Sequence, residues 1–167
     1  PGSFAYTPTN GTVLNAGSNQ VLSANFTPTD VNNYQIVNNS TVLISVNKAT
    51  PVITWLPPSA ITFGTPLGAT QLNASANVPG TFTYTPASGT VLNAGANQNL
   101  SASFSPTNAT NYNPVTGIST QITVNKANPV ITWPTPLSIV YGTPLSATQL
   151  NATASTAGTF TYTPPSG

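Results

Sequence analysis

The chain has 167 residues but only three charged side chains, Asp30, Lys48 and Lys126, and no Glu, Arg, His, Cys or Met. An average soluble domain is about 25% charged, and this chain is 2%. A single carboxylate excludes ordinary acid–base catalysis and metal centres, two lysines 78 residues apart exclude the basic patch that nucleic acid needs, and no apolar run approaches the roughly 20 residues of a membrane-spanning helix.

Small polar residues fill the chain, with 29 Thr, 20 Asn and 16 Ser. Zero cysteines mean no disulfide framework. There is no initiator Met and no charged-then-apolar leader, so any targeting segment is expected outside these residues.

An internal repeat sets the organisation. Pro51-Val52-Ile53-Thr54-Trp55 recurs as Pro129-Val130-Ile131-Thr132-Trp133, and a shift of 78 residues matches 47 of 78 positions without a gap. The opening Pro1 to Pro8 returns at 79–86 and again at 157–164. The natural boundaries lie at Asn47-Lys48-Ala49-Thr50-Pro51 and Asn125-Lys126-Ala127-Asn128-Pro129. There a strand-like run ends and a proline, tolerated at the first residue of a strand, opens the next. The reading is therefore 1–49 as the C-terminal part of one repeat, 50–127 as a complete repeat, and 128–167 as the N-terminal part of the next. Strand 159–163 would compete with strand 3–7 if one chain completed another. A window from a longer tandem chain is thus preferred to complementation between chains.

The predicted elements of the complete repeat are all strands, recognised by alternation with period 2. In chain order, a short run at 51–55 carries Ile53 and Trp55, and one at 60–64 carries Ile61 and Phe63. The run 70–77 alternates Leu72, Ala74 and Ala76 with Gln71, Asn73 and Ser75. The run 80–86 sets Phe82 and Tyr84 against Thr81, Thr83 and Thr85. The run 98–106 places Leu100, Ala102 and Phe104 on one face, and 118–125 places Ile118, Thr120, Ile122 and Val124 on one face. Turn signals separate them: Pro57-Pro58, Val78-Pro79-Gly80, Ser88-Gly89, Ala94-Gly95 and, in the first copy, Asn10-Gly11, a strong hairpin signal. Six or seven such strands predict an all-β antiparallel sandwich repeated every 78 residues.

Several strings resemble the bacterial immunoglobulin-like repeats of large secreted and surface proteins. They are 139–154 (Ile-Val-Tyr-Gly-Thr-Pro-Leu-Ser-Ala-Thr-Gln-Leu-Asn-Ala-Thr-Ala), Gly-Thr-Phe-Thr-Tyr-Thr-Pro at 80–86, Phe-Thr-Pro-Thr-Asp-Val-Asn-Asn-Tyr at 26–34, and Val-Asn-Lys-Ala at 46–49 and 124–127. The resemblance spans the whole chain. It implies Ig-like sandwiches in tandem arrays, serving as extracellular or cell-surface stalks, adhesins or fibres. The Asp of the Pro-Thr-Asp turn is present at Asp30 and replaced by Asn108 in the next copy. That points to turn-making, which Asn shares, and away from ion binding.

The candidate residues are accordingly structural. Trp55 and Trp133 are expected to pack at a sandwich end or a junction, the alternative being sugar-stacking platforms. Tyr34 and Tyr112 resemble the tyrosine corner, whose hydroxyl bonds local backbone. Lys48, Lys126, Pro51 and Pro129 mark the repeat junctions, the lysines as solvated cations that discourage edge pairing. An isopeptide bond from Lys and calcium binding both lack carboxylates. The Asn-x-Ser/Thr triplets at Asn10, Asn25, Asn38, Asn39, Asn73, Asn99, Asn108 and Asn151 are what chance supplies in such a composition, the alternative being glycosylation acceptors.

The expected function is a non-enzymatic structural repeat: a stiff, charge-poor rod without cofactors, whose partners are neighbouring repeats and identical chains in a fibre. The alternative is a surface module for carbohydrate, or for ice through the Thr81, Thr83 and Thr85 row.

Overall fold

The computed structural model describes all 167 residues. It contains eleven strands and no helix: β1 (Gly2–Thr7), β2 (Gly17–Pro28), β3 (Val37–Val46), β4 (Ile53–Thr54), β5 (Ile61–Thr62), β6 (Ser75–Ala76), β7 (Gly80–Thr85), β8 (Gly95–Pro106), β9 (Val115–Asn125), β10 (Ile131–Thr132) and β11 (Thr153–Ala154). They form four sheets, ordered β1-β2-β3, β4-β6, β5-β9-β8-β7 and β10-β11.

The two large sheets carry the sequence period into register. Gly2 faces Pro28 and Phe4 faces Phe26, while Gly80 faces Pro106 and Phe82 faces Phe104. Each long strand also bends twice at matching places. β2 shifts register between Gly17 and Gln20 and between Ala24 and Phe26, and β8 shifts between Gly95 and Gln98 and between Ala102 and Phe104. Asn19 (φ 56°) and Asn97 (φ 53°) sit within the first shift. Asn tolerates this left-handed backbone better than most residues, and an extra residue there makes a β-bulge.

The core belongs to residues 50–127. Leu67, Leu72, Leu100 and Ile122 form its buried centre, with Trp55, Ile61, Tyr84 and Leu92 packed against it. Leu100 and Ile122 come from neighbouring strands of the four-stranded sheet, and Leu67, Leu72 and Trp55 come from the segment that covers it. The ring of Phe104 is likewise buried beside Phe82, with centroids 4.8 Å apart. Gly80 makes room for that ring: a Cβ there would stand 2.5 Å from the Ser105 carbonyl oxygen and closer still to Phe104.

Four expectations need correction. The run 159–163, expected as a strand, is in no strand. The sheet is not wholly antiparallel, because β5 pairs parallel to β9, Ile61 beside Val124. The run 70–77 is strand only at Ser75–Ala76. Its first half is a turn, in which the Gln71 and Leu72 amides donate to Gly68 O and the Gln71 side chain accepts from Gly68 N at 3.1 Å. The Asn10-Gly11 signal makes a turn, Thr12 N donating to Thr9 O, inside a long β1–β2 connection and not a two-residue hairpin. The equivalent β7–β8 connection carries Leu92 to the core. Burial of that side chain outweighs the tighter turn.

Candidate functional site at the repeat joint

The chain passes from the first copy to the second through residues 47–51, and here the two copies touch. The contact is built on the loop between β8 and β9. Asn108 organises it: its side-chain oxygen accepts from Asn111 N at 3.1 Å and its carbonyl from Tyr112 N at 3.1 Å. The first copy makes the same turn with Asp30, whose carboxylate accepts from the Asn32 and Asn33 amides, both at 3.2 Å, and from Asn33 Nδ2 at 2.7 Å. The Asn33 side-chain bond, with lesser help from the two backbone amides, holds the Asp30 carboxyl below its usual pKa. Asp and Asn thus do the same local work, as expected for a turn residue.

From this turn the loop reaches back across the joint. Ala49 N donates to Asn111 O at 2.8 Å, and Asn113 N donates to Ala49 O at 2.8 Å. The pair makes a parallel bridge between Ala49 and Tyr112. Lys48 Nζ donates to Ala109 O at 2.6 Å. The Asn113 amide donates to Thr50 Oγ1 at 3.3 Å. Asn111 then uses both ends of its side chain on the first copy. Its Oδ1 accepts from Ala16 N at 2.7 Å, and its Nδ2 donates to Asn15 Oδ1 at 2.9 Å. The half-buried Tyr112 lies in a groove of about 230 Å³ with Val13, Leu14 and Val46.

Chemically the joint is a set of amide and ammonium donors on neutral carbonyl, amide and hydroxyl oxygens. A neutral protein hydrogen bond contributes about 0.5–1.5 kcal/mol net, and these are mostly exposed, so their sum is modest. Their geometry matters more. Lys48 and Ala49 are fixed in the linker, and Asn15 and Ala16 in the β1–β2 connection. One loop of the second copy therefore holds the first copy at two separate places.

The other singled-out residues lie as follows. Pro51 is buried at the start of the second copy and Pro129 is exposed at the next boundary, as is Lys126. Trp55 is half-buried on the core, donating from Nε1 to Gln71 O at 3.1 Å and standing edge-on to Tyr84 at 5.3 Å. Trp133 makes the same bond, to Gln149 O at 2.9 Å, but is 51% exposed. Tyr34 is exposed, and the hydroxyl-to-backbone bond expected of Tyr34 and Tyr112 is found instead at Tyr84, which accepts from the Ala74 backbone, and at Tyr162, whose hydroxyl accepts from Ala152 N at 3.1 Å. Burial pushes the Tyr84 hydroxyl above its usual pKa.

Sequence reasoning read Lys48 as a solvated cation, whereas its Nζ donates across the joint to Ala109 O, and it missed Asn15, Asn111 and Asn113. The available signal was internal. Asn15 and Asn93, and Asn33 and Asn111, are identical between copies, and the pair Asn33-Tyr34 is kept as Asn111-Tyr112 although the residues just before and after it differ.

No family model, no curated protein and no solved structure matches the chain.

Proposed function

We propose that the chain is a non-catalytic structural stretch of an extracellular bacterial stalk, adhesin or filament, built of Ig-like sandwich units in tandem. The observation that carries this reading is the joint. A linker of about five residues, clamped by the loop 108–113 of the following copy, holds successive units at a fixed angle where a bare linker would swivel. The same surfaces carry almost no charge, so salt has little to screen and the angle holds across ionic strengths. The unit's aromatic residues support the reading too. Trp55 packs half-buried against the core and bonds Gln71, which favours a packing role over sugar stacking for that residue, while its equivalent Trp133 is 51% exposed.

Small-angle scattering on the chain tests the proposal. The wild-type distance distribution is expected to stay the same from low to high salt. The double variant Asn111→Ala/Asn113→Ala, which keeps the sheets and removes the side-chain bonds to Asn15, Ala16 and Thr50, is expected to broaden it. A wild-type distribution already as broad as the variant's would sink the idea. One observation favours a second reading: Thr81, Thr83 and Thr85 form an exposed hydroxyl row. Binding on a glycan array or thermal hysteresis, abolished by replacing that row, would displace the structural role.

A further inference from the structure

β7 is the last strand of its sheet, paired only with β8. Its other edge can be phased from one bond. Thr107 N donates to Pro79 O, so 79 and 107 are a hydrogen-bonded pair. In an antiparallel ladder such pairs alternate with non-bonded ones. Thr81, Thr83 and Thr85 therefore turn their backbone groups to β8, and Gly80, Phe82 and Tyr84 turn theirs outward. Ser101 Oγ, on β8, donates to Thr85 O at 3.1 Å, which agrees with that phase. β1 repeats the arrangement: Thr29 N donates to Pro1 O, which turns Gly2, Phe4 and Tyr6 outward. None of the backbone bonds made outside the sheets uses an amide or carbonyl of Gly2, Phe4, Tyr6, Gly80, Phe82 or Tyr84.

Soluble proteins protect such edges with charged side chains, an internal proline or a covering segment. β7 has none of these, since Gly-Thr-Phe-Thr-Tyr-Thr contains no charge and no proline. The two lysines sit at the joints, away from both strands. Prolines occur only just outside, at Pro79 and Pro86. They limit the open edge to one short strand and do not close it.

We infer that β7, and β1 with it, is a docking edge for the same strand of a second copy of this chain, joined antiparallel. The occupant follows from the edge itself. A partner strand must offer outward groups at alternate positions over about six residues, bring no charge, and put an aromatic ring opposite Phe82. β7 meets all three conditions. With Phe82 opposite Phe82 of the second copy, Gly80 lies opposite Tyr84, and all three outward residues of each strand are paired. The two threonine rows then form one continuous hydroxyl face. Two sheets merge into one, and chains lie side by side with no ionic contact between them. This association does not depend on a rigid joint, so it stands apart from the rod reading.

The test is sedimentation of the full chain across the micromolar-to-millimolar range, with amide hydrogen exchange on the same samples. Self-association is expected, with the Phe82 and Tyr84 amides gaining protection as concentration rises. The double variant Ala5→Lys/Thr83→Lys places a cation on each edge strand without touching the ladders, and is expected to weaken association at least about tenfold. Gln121→Lys, on the exposed side of the interior strand β9, is expected to leave it unchanged. Circular dichroism checks that each variant keeps its strands. A wild-type chain that stays monomeric overturns the proposal. So does association that leaves the Phe82 and Tyr84 amides unprotected, or that Gln121→Lys weakens as much as the edge variant does.

Discussion

The sheets β1–β3 and β7–β9 share the same register and about half of their strand residues, yet they differ in burial. Leu100 and Ile122 are 0% and 1% exposed, whereas their equivalents are half-buried (Leu22) and 40% exposed (Ile44). Phe104 is buried and Phe26 only half-buried. The difference is the segment 51–77, which lays Trp55, Leu67 and Leu72 over the second sheet. Strand pairing and alternation are local properties that both copies possess. Burial comes from a cover contributed some thirty to fifty residues away in sequence, and burying a large apolar side chain is worth about 1.5–3 kcal/mol. Two sheets can therefore share a shape and differ widely in stability.

The largest expected effect separates them most directly. Leu100→Ala should cost about 2–5 kcal/mol in urea unfolding followed by the fluorescence of Trp55, whereas Leu22→Ala should cost a small fraction of that. Equal losses would mean that the first sheet is covered in solution. Next comes the glycine at each strand start. Gly80→Ala drives a methyl into a buried Phe104 and the Ser105 carbonyl, and overpacking of this kind costs about 1–3 kcal/mol. Gly2→Ala meets the equivalent Phe26, which is freer to move, so its melting temperature should fall less.

Smaller again is the joint. Asn111→Ala removes the bonds to Asn15 and Ala16, at about 1 kcal/mol, and should speed amide exchange at Ala16. Asn33→Ala, which loses only its local contact with Asp30, should leave Ala16 unchanged. The smallest effect is that of pH. The lowered pKa of Asp30 gives stability present above its unfolded value and lost as pH falls through the folded one. The raised pKa of Tyr84 gives stability present below its unfolded value and lost as pH rises through the folded one. Between about pH 5 and pH 9 neither group changes charge, so the melting temperature should be flat. Asp30→Asn should remove the slight decline on the acid side.

Much of this was legible in the sequence. The period, the long strands and the buried faces of 98–106 and 118–125 follow from alternation alone, because those strands bury one face and expose the other. The run 70–77 misled because its Leu72 and Ala74 alternate equally well on a turn. There Gln71 closes the turn onto Gly68 and lends its carbonyl to Trp55. Neither bond leaves a trace in an apolar–polar pattern. The joint was hidden for a different reason. In a chain with 20 Asn, the match of Asn111 to Asn33 marks it only as part of a shared turn, and its crossing to Asn15 depends on the path of the loop.

The parallel pairing of β5 with β9 has a consequence under load. Within one copy the chain enters through β4, tension along it then reaches β5, and it leaves at the end of β9; β5 and β9 lie side by side pointing the same way. Pulling the two ends of the copy apart therefore slides the strands past each other. Their hydrogen bonds are loaded together in shear, where an antiparallel terminal pair would open like a zip, one bond after another. A short pair of strands so placed acts as a latch whose resistance comes from geometry, even though its bonds are few.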